Sequence, residues 1–368
     1  MQQAADVDQD LPGQLFAALS DGSYGTNYRT EANRSGQTLC FADGLRASMR
    51  PGAANRRATP MAKSYDAVAV QHGGMSTMEE TLPGAVAAAV AALRSGDRDA
   101  MDRLRTDGYV DRRPQTGELV RGRERMRALE AADPEAPARM VNLRRVTGLD
   151  QLWTIEGRMQ AATGNDWFTV VILELQGDRI AQATTYDVER LEAPSWRAPH
   201  VVRIDPDQPP PRLKPASDLS DADVTRIGQA YLRYESRRDW DQLRRLRSPD
   251  WLVEWPQSGE RIPSHDADVA VHSAYPGYPD INMSRLSSAS EGWELSALYT
   301  PIRVHGAGPM IVIEGANTYP SGGKWFVVSL NEAGDGHIRR ETAYFARPTE
   351  PPAWRTPWVE SFDPLAPR

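Results

Sequence analysis

Trp325-Phe326-Val327-Val328-Ser329-Leu330 decides how the chain is read, because its opening pair and its surroundings occur twice. Ile313-Glu314-Gly315 stands upstream. Glu332, Ile338, Thr342 and Tyr344 follow, and then Glu350, Pro352, Trp354-Arg355, Pro357 and Val359. At a constant offset of 158 the chain also carries Ile155-Glu156-Gly157, Trp167-Phe168, Glu174, Ile180, Thr184, Tyr186, Glu192, Pro194, Trp196-Arg197, Pro199 and Val201. So many identities at one spacing, with tryptophan on tryptophan twice, identify two copies of one domain.

The totals agree. A chain of 368 residues suits two domains, each able to bury a core. A net charge of −7 speaks against a nucleic-acid binder, which would carry a basic stripe. The lone cysteine, Cys40, excludes an internal disulfide. No apolar run reaches the length of a membrane span, and the first residues lack the charged-then-apolar order of a secretory signal. The expectation is a cytoplasmic protein away from membranes.

Residues 1–76 read as a disordered extension, with too little apolar surface to offset ordering entropy. Met75 and Met78 stand as alternative natural starts. The first domain is expected over 77–204, a stiff proline-rich linker containing Pro209-Pro210-Pro211 over 205–219, the second domain over 220–360 and a tail over 361–368. In each copy, three-and-four spacing gives a first helix (Leu82, Val86, Val90, Leu93; then Val224, Ile227, Tyr231, Tyr234). A short helix, a strand, a third helix and long strands follow, including one over 284–290. Such an order predicts an α+β fold: two tandem cone-shaped domains, each a curved antiparallel sheet wrapped around helices.

Glu254-Trp255-Pro256-Gln257-Ser258-Gly259-Glu260-Arg261-Ile262, the turn Tyr275-Pro276-Gly277 and Ala343-Tyr344-Phe345 before Glu350-Pro351-Pro352-Ala353-Trp354-Arg355 resemble SnoaL-like proteins of the nuclear transport factor 2-like superfamily. The resemblance covers about 220–360, and 79–201 more weakly. It implies the cystatin-like α+β barrel. That fold hosts polyketide cyclases, ketosteroid isomerase, scytalone dehydratase, limonene epoxide hydrolase and non-catalytic binders, so fold alone does not name an activity. Asp239 to Pro256 resembles the isomerase. Its first-helix tyrosine then falls on Tyr231, and its general-base position falls on Trp255, beside Glu254. The first copy has Ala89 and Arg113 at those two positions. Without a carboxylate within reach of the substrate proton, isomerase chemistry fails. Tyr234-Glu235-Ser236 and Asp239-Trp240-Asp241 resemble scytalone dehydratase, which pairs a tyrosine and an acid with histidines, and His305 is the counterpart here.

No histidine lies between Tyr109 and Tyr186, so imidazole chemistry belongs to the second copy. The expected catalytic set is Tyr231, Glu254 and His305, with Trp255, Glu314, Trp325 and Tyr344 lining a ligand pocket. Each has a plainer reading. His305 also reads as a satisfied sheet histidine, and Glu314 and Glu156 as rim or solvent-facing carboxylates paired with arginine. Glu332 and Glu174, near hairpin ends, are expected in solvent. Glu254, where the first copy has Arg112, fits a salt bridge between domains as well as a site. Trp196 and Trp354 are expected to clamp their tails onto a sheet.

No phosphate loop, CxxC, HExxH or nucleophile elbow is present, so no cofactor or metal is indicated. Two functions remain. One is an enzyme of cyclase, dehydratase, isomerase or epoxide-hydrolase type, acting on an apolar polyketide- or terpenoid-like molecule by acid–base chemistry in the second domain. The other is a non-catalytic ligand binder or scaffold in which the two domains pair within the chain.

Overall fold

In the computed structural model, residues 82–134, 138–210, 220–274, 300–307, 310–318 and 324–365 are described. The expected leader, the turn at 275–277, the strand at 284–290 and most of the linker lie outside the described residues.

The first half begins with helices α1 (Gly84–Ser95) and α2 (Arg98–Leu104). Gly96, at φ 70°, closes α1 in the left-handed conformation that glycine adopts without penalty, and the Asp97 carboxylate caps α2 by accepting from the Ala100 amide at 2.8 Å. Strands β1 (Arg105–Arg113) and β2 (Glu118–Arg121), helix α3 (Arg123–Ala132), and strands β3 (Arg139–Leu149), β4 (Leu152–Gln160), β5 (Asp166–Gln176) and β6 (Arg179–Val188) follow, with a short β7 (Val202–Arg203) beyond them.

The second half repeats the order: α4 (Asp221–Arg237), opened by a Ser220/Asp223 capping box, α5 (Trp240–Leu246), β8 (Arg247–Trp255), β9 (Glu260–Ile262), α6 (His265–Ser273), β10 (Thr300–Ala307), β11 (Met310–Thr318), β12 (Lys324–Gly334), β13 (His337–Ala346) and β14 (Glu360–Ser361).

Each half builds a seven-stranded sheet. The first runs β3-β4-β5-β6-β1-β2-β14, the second β10-β11-β12-β13-β8-β9-β7. Strand for strand the orders coincide, and the outermost strand of each comes from the other half. β14 pairs with β2 (Glu360 opposite Leu119), and β7 pairs with β9 (Val202 opposite Arg261). Val202 and Arg203, expected to belong to the first domain, complete the second sheet.

The tails therefore cross. Arg197 reaches Glu260 at 2.6 Å, and Arg355 reaches Glu118 at 2.9 Å. Trp196 and Val201 pack on the core of the second cup. The Trp-Arg repeat is explained by this exchange: each arginine supplies the charge for a buried glutamate in the opposite half.

Strand alternation sends successive side chains to opposite faces. Phe168, Val170, Ile172, Tyr186 and Val188 of the first sheet share one buried cluster with Met310, Val312, Phe326, Val328, Leu330 and Tyr344 of the second. Each side chain of this size contributes about 1.5–3 kcal/mol on burial, before entropy. The sheets thus pack face to face, and their other faces curve around the helices. Gly157 of the repeated Ile-Glu-Gly sits where a Cβ would lie 2.3 Å from the Asn142 carbonyl oxygen, so only glycine fits.

Candidate ligand cavity and the two faces of each sheet

The layer between the sheets holds a reciprocal polar network. The Tyr186 hydroxyl donates to Glu314 at 2.7 Å, and the Tyr344 hydroxyl donates to Glu156 at 2.8 Å. Arg145 pairs with Glu156 (2.5 Å) on its own sheet and with Glu332 on the other. Arg303, 158 positions on, pairs with Glu314 (2.8 Å) and crosses to Glu174 (2.6 Å). A register shift between Leu143 and Arg145 turns two consecutive arginines inward. The first of them, Arg144, bonds Glu254 at 2.9 Å, and Glu254 is also held by Arg261 at 2.6 Å.

This placement separates the residues expected to act together. Tyr231 faces the interior of the second cup, in the cluster of Val224, Leu243, Trp251 and Ile313. Glu254 and His305 lie on the opposite face of the sheet. Glu254 neighbours Thr342 in the parallel β8–β13 pair, and His305 Nε2 sits 3.2 Å from Glu314. A sheet's thickness stands between them and Tyr231, so the three form no common site. Glu314 and Tyr344 are likewise members of the inter-sheet network and line no cup. Trp255 and Trp325 do fall on the cup side. Trp255 packs edge-on against Phe345 (5.8 Å) under the Arg197 guanidinium, and Arg347 lies over Trp325 at 4.8 Å. Glu332 and Glu174 are ion-paired across the interface instead of free in solvent.

The interior of the second cup holds a dense polar cluster. Arg247 bonds Tyr231 (2.8 Å), Glu235 (2.5 Å) and Asp268 (2.8 Å), with the His265 ring 3.0 Å away. Glu341 accepts from Tyr231 (2.5 Å) and Ser329 (2.7 Å). Desolvation raises Glu341 and Glu235 above the usual carboxylate range. Burial opposes ionisation of Asp268 too, yet Arg247 and His272 hold it well below that range.

The helices and sheet of the first cup surround an open-sided cavity of about 230 Å³. Ala89, Ala92, Met126, Ile155, Val171, Leu173 and Ile180 give it an apolar lining, while Tyr109, Asp111, Arg113, Trp167, Thr169 and Asp187 contribute polar groups. Its arginines are committed. Arg113 bonds Asp111 at 2.8 Å, Arg105 holds Glu130 through two hydrogen bonds (2.8 and 2.5 Å), and Arg98 pairs with Asp133 at 2.8 Å.

Asp187 is different. Its Oδ1 accepts from Trp167 Nε1 and from Thr169 Oγ1, both at 2.9 Å, and Oδ2 has no hydrogen-bond partner among the described residues. The residue is exposed where it lines the cavity, and desolvation by the protein around it raises its pKa above the ordinary value against the pull of Thr169, Arg113 and Trp167. Burial, with Asp111 beside it, also raises Tyr109.

These groups escaped the sequence reading, although a signal was available. Arg113 and Asp187 occupy the positions of Trp255 and Phe345 in the second half, as β1 and β6 match β8 and β13. A polar pair at one mouth is an aromatic pair at the other. The departures from the repeat, more than its identities, mark the candidate site. The polar identities at offset 158 serve the interface and the tails.

Residues 86–183 match the family model of the SnoaL-like domain. That stretch of the first half is thus similar to the SnoaL-like domain. Solved structures similar to the chain include an NTF-2 like protein of unknown function from Burkholderia xenovorans LB400 (26% identity, covering 38% of this chain and 96% of that one, TM-score 0.31). Another is a hypothetical protein with a ketosteroid isomerase-like fold from Catenulispora acidiphila, in complex with trimethylamine (19%, 29% and 86%, TM-score 0.26). A third is an uncharacterized cystatin-like protein from Silicibacter pomeroyi (17%, 29% and 74%, TM-score 0.25). No curated protein matches the chain. Among the described residues no helix is long and apolar enough to cross a membrane, and no group of three His, Cys, Asp or Glu side chains is placed to hold a metal ion.

Proposed function

We propose that the first cup binds a small, largely apolar molecule and moves a proton on it, with Asp187 as the group that takes the proton from one atom and returns it to another. The single observation behind this reading is a carboxyl with one oxygen held by Trp167 and Thr169 and the other open to an apolar cavity. Partial desolvation moves its pKa upward, the direction that suits a general acid or base. Volume limits the ligand. Pockets for drug-sized molecules hold about 300–1,000 Å³, and this cavity holds about 230 Å³. A one-ring compound suits it better than a four-ring polyketide. Because the lining arginines are already paired with carboxylates, an anionic ligand finds no free cation there.

The test is hydrogen–deuterium exchange at the α-carbon of monocyclic ketones in heavy water, followed by NMR. The intact protein accelerates exchange and the Asp187→Asn variant does not. Equal rates with both proteins overturn the proposal.

A second reading, a chain that binds or scaffolds without chemistry, is favoured by one fact. The polar residues shared by both halves bind the halves to each other. Under that reading Asp187→Asn changes neither exchange nor capture of any ligand.

A further inference from the structure

The acid of the first cup sits near the end of β6, and β1 stops accompanying β6 before reaching it. The parallel pairing of the two strands extends to Arg112 opposite Thr184. Beyond that point no strand among the described residues pairs with this edge of β6, and unpaired backbone groups would leave it free to fray.

The side chain of Gln115, in the β1–β2 turn, takes the missing strand's place. Its Oε1 accepts from the Asp187 amide at 2.7 Å, and its Nε2 donates to the Asp187 carbonyl oxygen at 2.7 Å. Gln115 is itself gripped by the second half. Nε2 also donates to the Arg347 carbonyl oxygen at 3.1 Å, and the Thr349 amide donates to the Gln115 carbonyl oxygen at 2.9 Å.

We infer that residues 347–349, where the chain leaves the second sheet, hold the first cup's acid in place through Gln115, so the first cup's site is complete only when the second half is docked. Gln115 is a positioning residue and touches no ligand. The inference rests on the reading of Asp187 as the working acid.

The pseudo-symmetry supplies a control. Gln257 makes the same bonds to Phe345, accepting from its amide at 2.6 Å and donating to its carbonyl oxygen at 3.1 Å, while the Leu191 amide donates to the Gln257 carbonyl oxygen at 2.8 Å. Phe345 carries no acid, so the second clamp secures a strand end alone. A purely structural role predicts like consequences for both glutamines. A positioning role does not.

The experiment is an NMR titration of the Asp187 carboxyl, with carbon-13-labelled aspartate, in the full chain carrying Gln115→Ala or Gln257→Ala. Gln115→Ala is expected to lower the Asp187 pKa toward the ordinary value of about 3.9, because a frayed strand end swings the carboxylate away from the protein groups that desolvate it. Gln257→Ala is expected to leave the titration as in the parent chain, with a comparable fall in melting temperature. Should Gln115→Ala fail to fold, Thr349→Pro removes the amide donated to Gln115 and is expected to shift the titration the same way by less. An unchanged Asp187 titration in the Gln115→Ala chain, or in Thr349→Pro where that chain stands in for it, overturns the inference, as does an equal shift in the Gln257→Ala chain. The titration needs no substrate. Failure of the ketone exchange with a normal Gln115 effect would sink the proposed reaction and leave the positioning contact standing.

Discussion

The Tyr186 hydroxyl on the first sheet donates a 2.7 Å hydrogen bond to Glu314 on the second, and both groups are buried. The mirror bond from Tyr344 to Glu156 returns the contact at 2.8 Å. Two residue types, repeated at one offset, thus make both ends of an interface inside a single chain, as a two-fold homodimer would make it between chains.

Breaking this network has graded effects. Tyr186→Phe removes one donor from a buried carboxylate and is expected to cost about 1–3 kcal/mol. Glu314→Ala removes the acceptor of the buried Tyr186 hydroxyl and one of the two carboxylates on Arg303, which keeps Glu174, and is expected to cost more, about 3 kcal/mol. Urea unfolding measures both. One cooperative transition is expected throughout, because the inter-sheet cluster draws on both halves.

Glu254→Gln is expected to act on stability and to leave the first cup's chemistry alone. The carboxylate is the charge partner of Arg144, whose side chain is 0% exposed. The melting temperature falls while ketone exchange per folded molecule stays at the parent rate. Lost exchange at an unchanged melting temperature would return Glu254 to the list of catalytic groups.

Asp187→Asn is expected to stabilise the protein at neutral pH. Folding raises this carboxyl's pKa, so the folded state holds its proton more tightly than the unfolded chain does. The aspartate therefore weakens the fold increasingly as pH rises from about 3.9 toward its folded pKa, and costs nothing below that window. The Asn Oδ1 accepts from Trp167 and Thr169 as before. Melting curves across pH should show a gain at pH 7 that vanishes near pH 3.5. A gain that persists at low pH would mean that the carboxyl is not desolvated.

Arg355→Ala and Arg197→Ala are expected to loosen opposite tails to a similar degree. Each leaves a buried glutamate, Glu118 or Glu260, with a lone hydroxyl donor, Thr116 or Ser258. Limited proteolysis reads the result: cleavage beyond residue 347 rises in the first variant and near residue 200 in the second. Protection equal to that of the parent chain in both would show that the exchanged strands β7 and β14 hold the tails without the arginines.

The repeat, the order of helices and strands and the alternation along each strand were legible in the sequence, because each depends on neighbours a few positions apart. Alternation put Glu314 and Ile313 on opposite faces. It could not say which face met another sheet and which lined a cup. That choice rests on contacts between residues more than a hundred positions apart, such as Tyr186 with Glu314 and Arg144 with Glu254. It moved Glu254, His305, Glu314 and Tyr344 out of the expected site and brought Asp187, Trp167 and Thr169 around a cavity in the other half. The crossing of the tails was also a tertiary matter, since Arg197 and Arg355 each have a glutamate of the right kind in both halves and only packing selects the distant one.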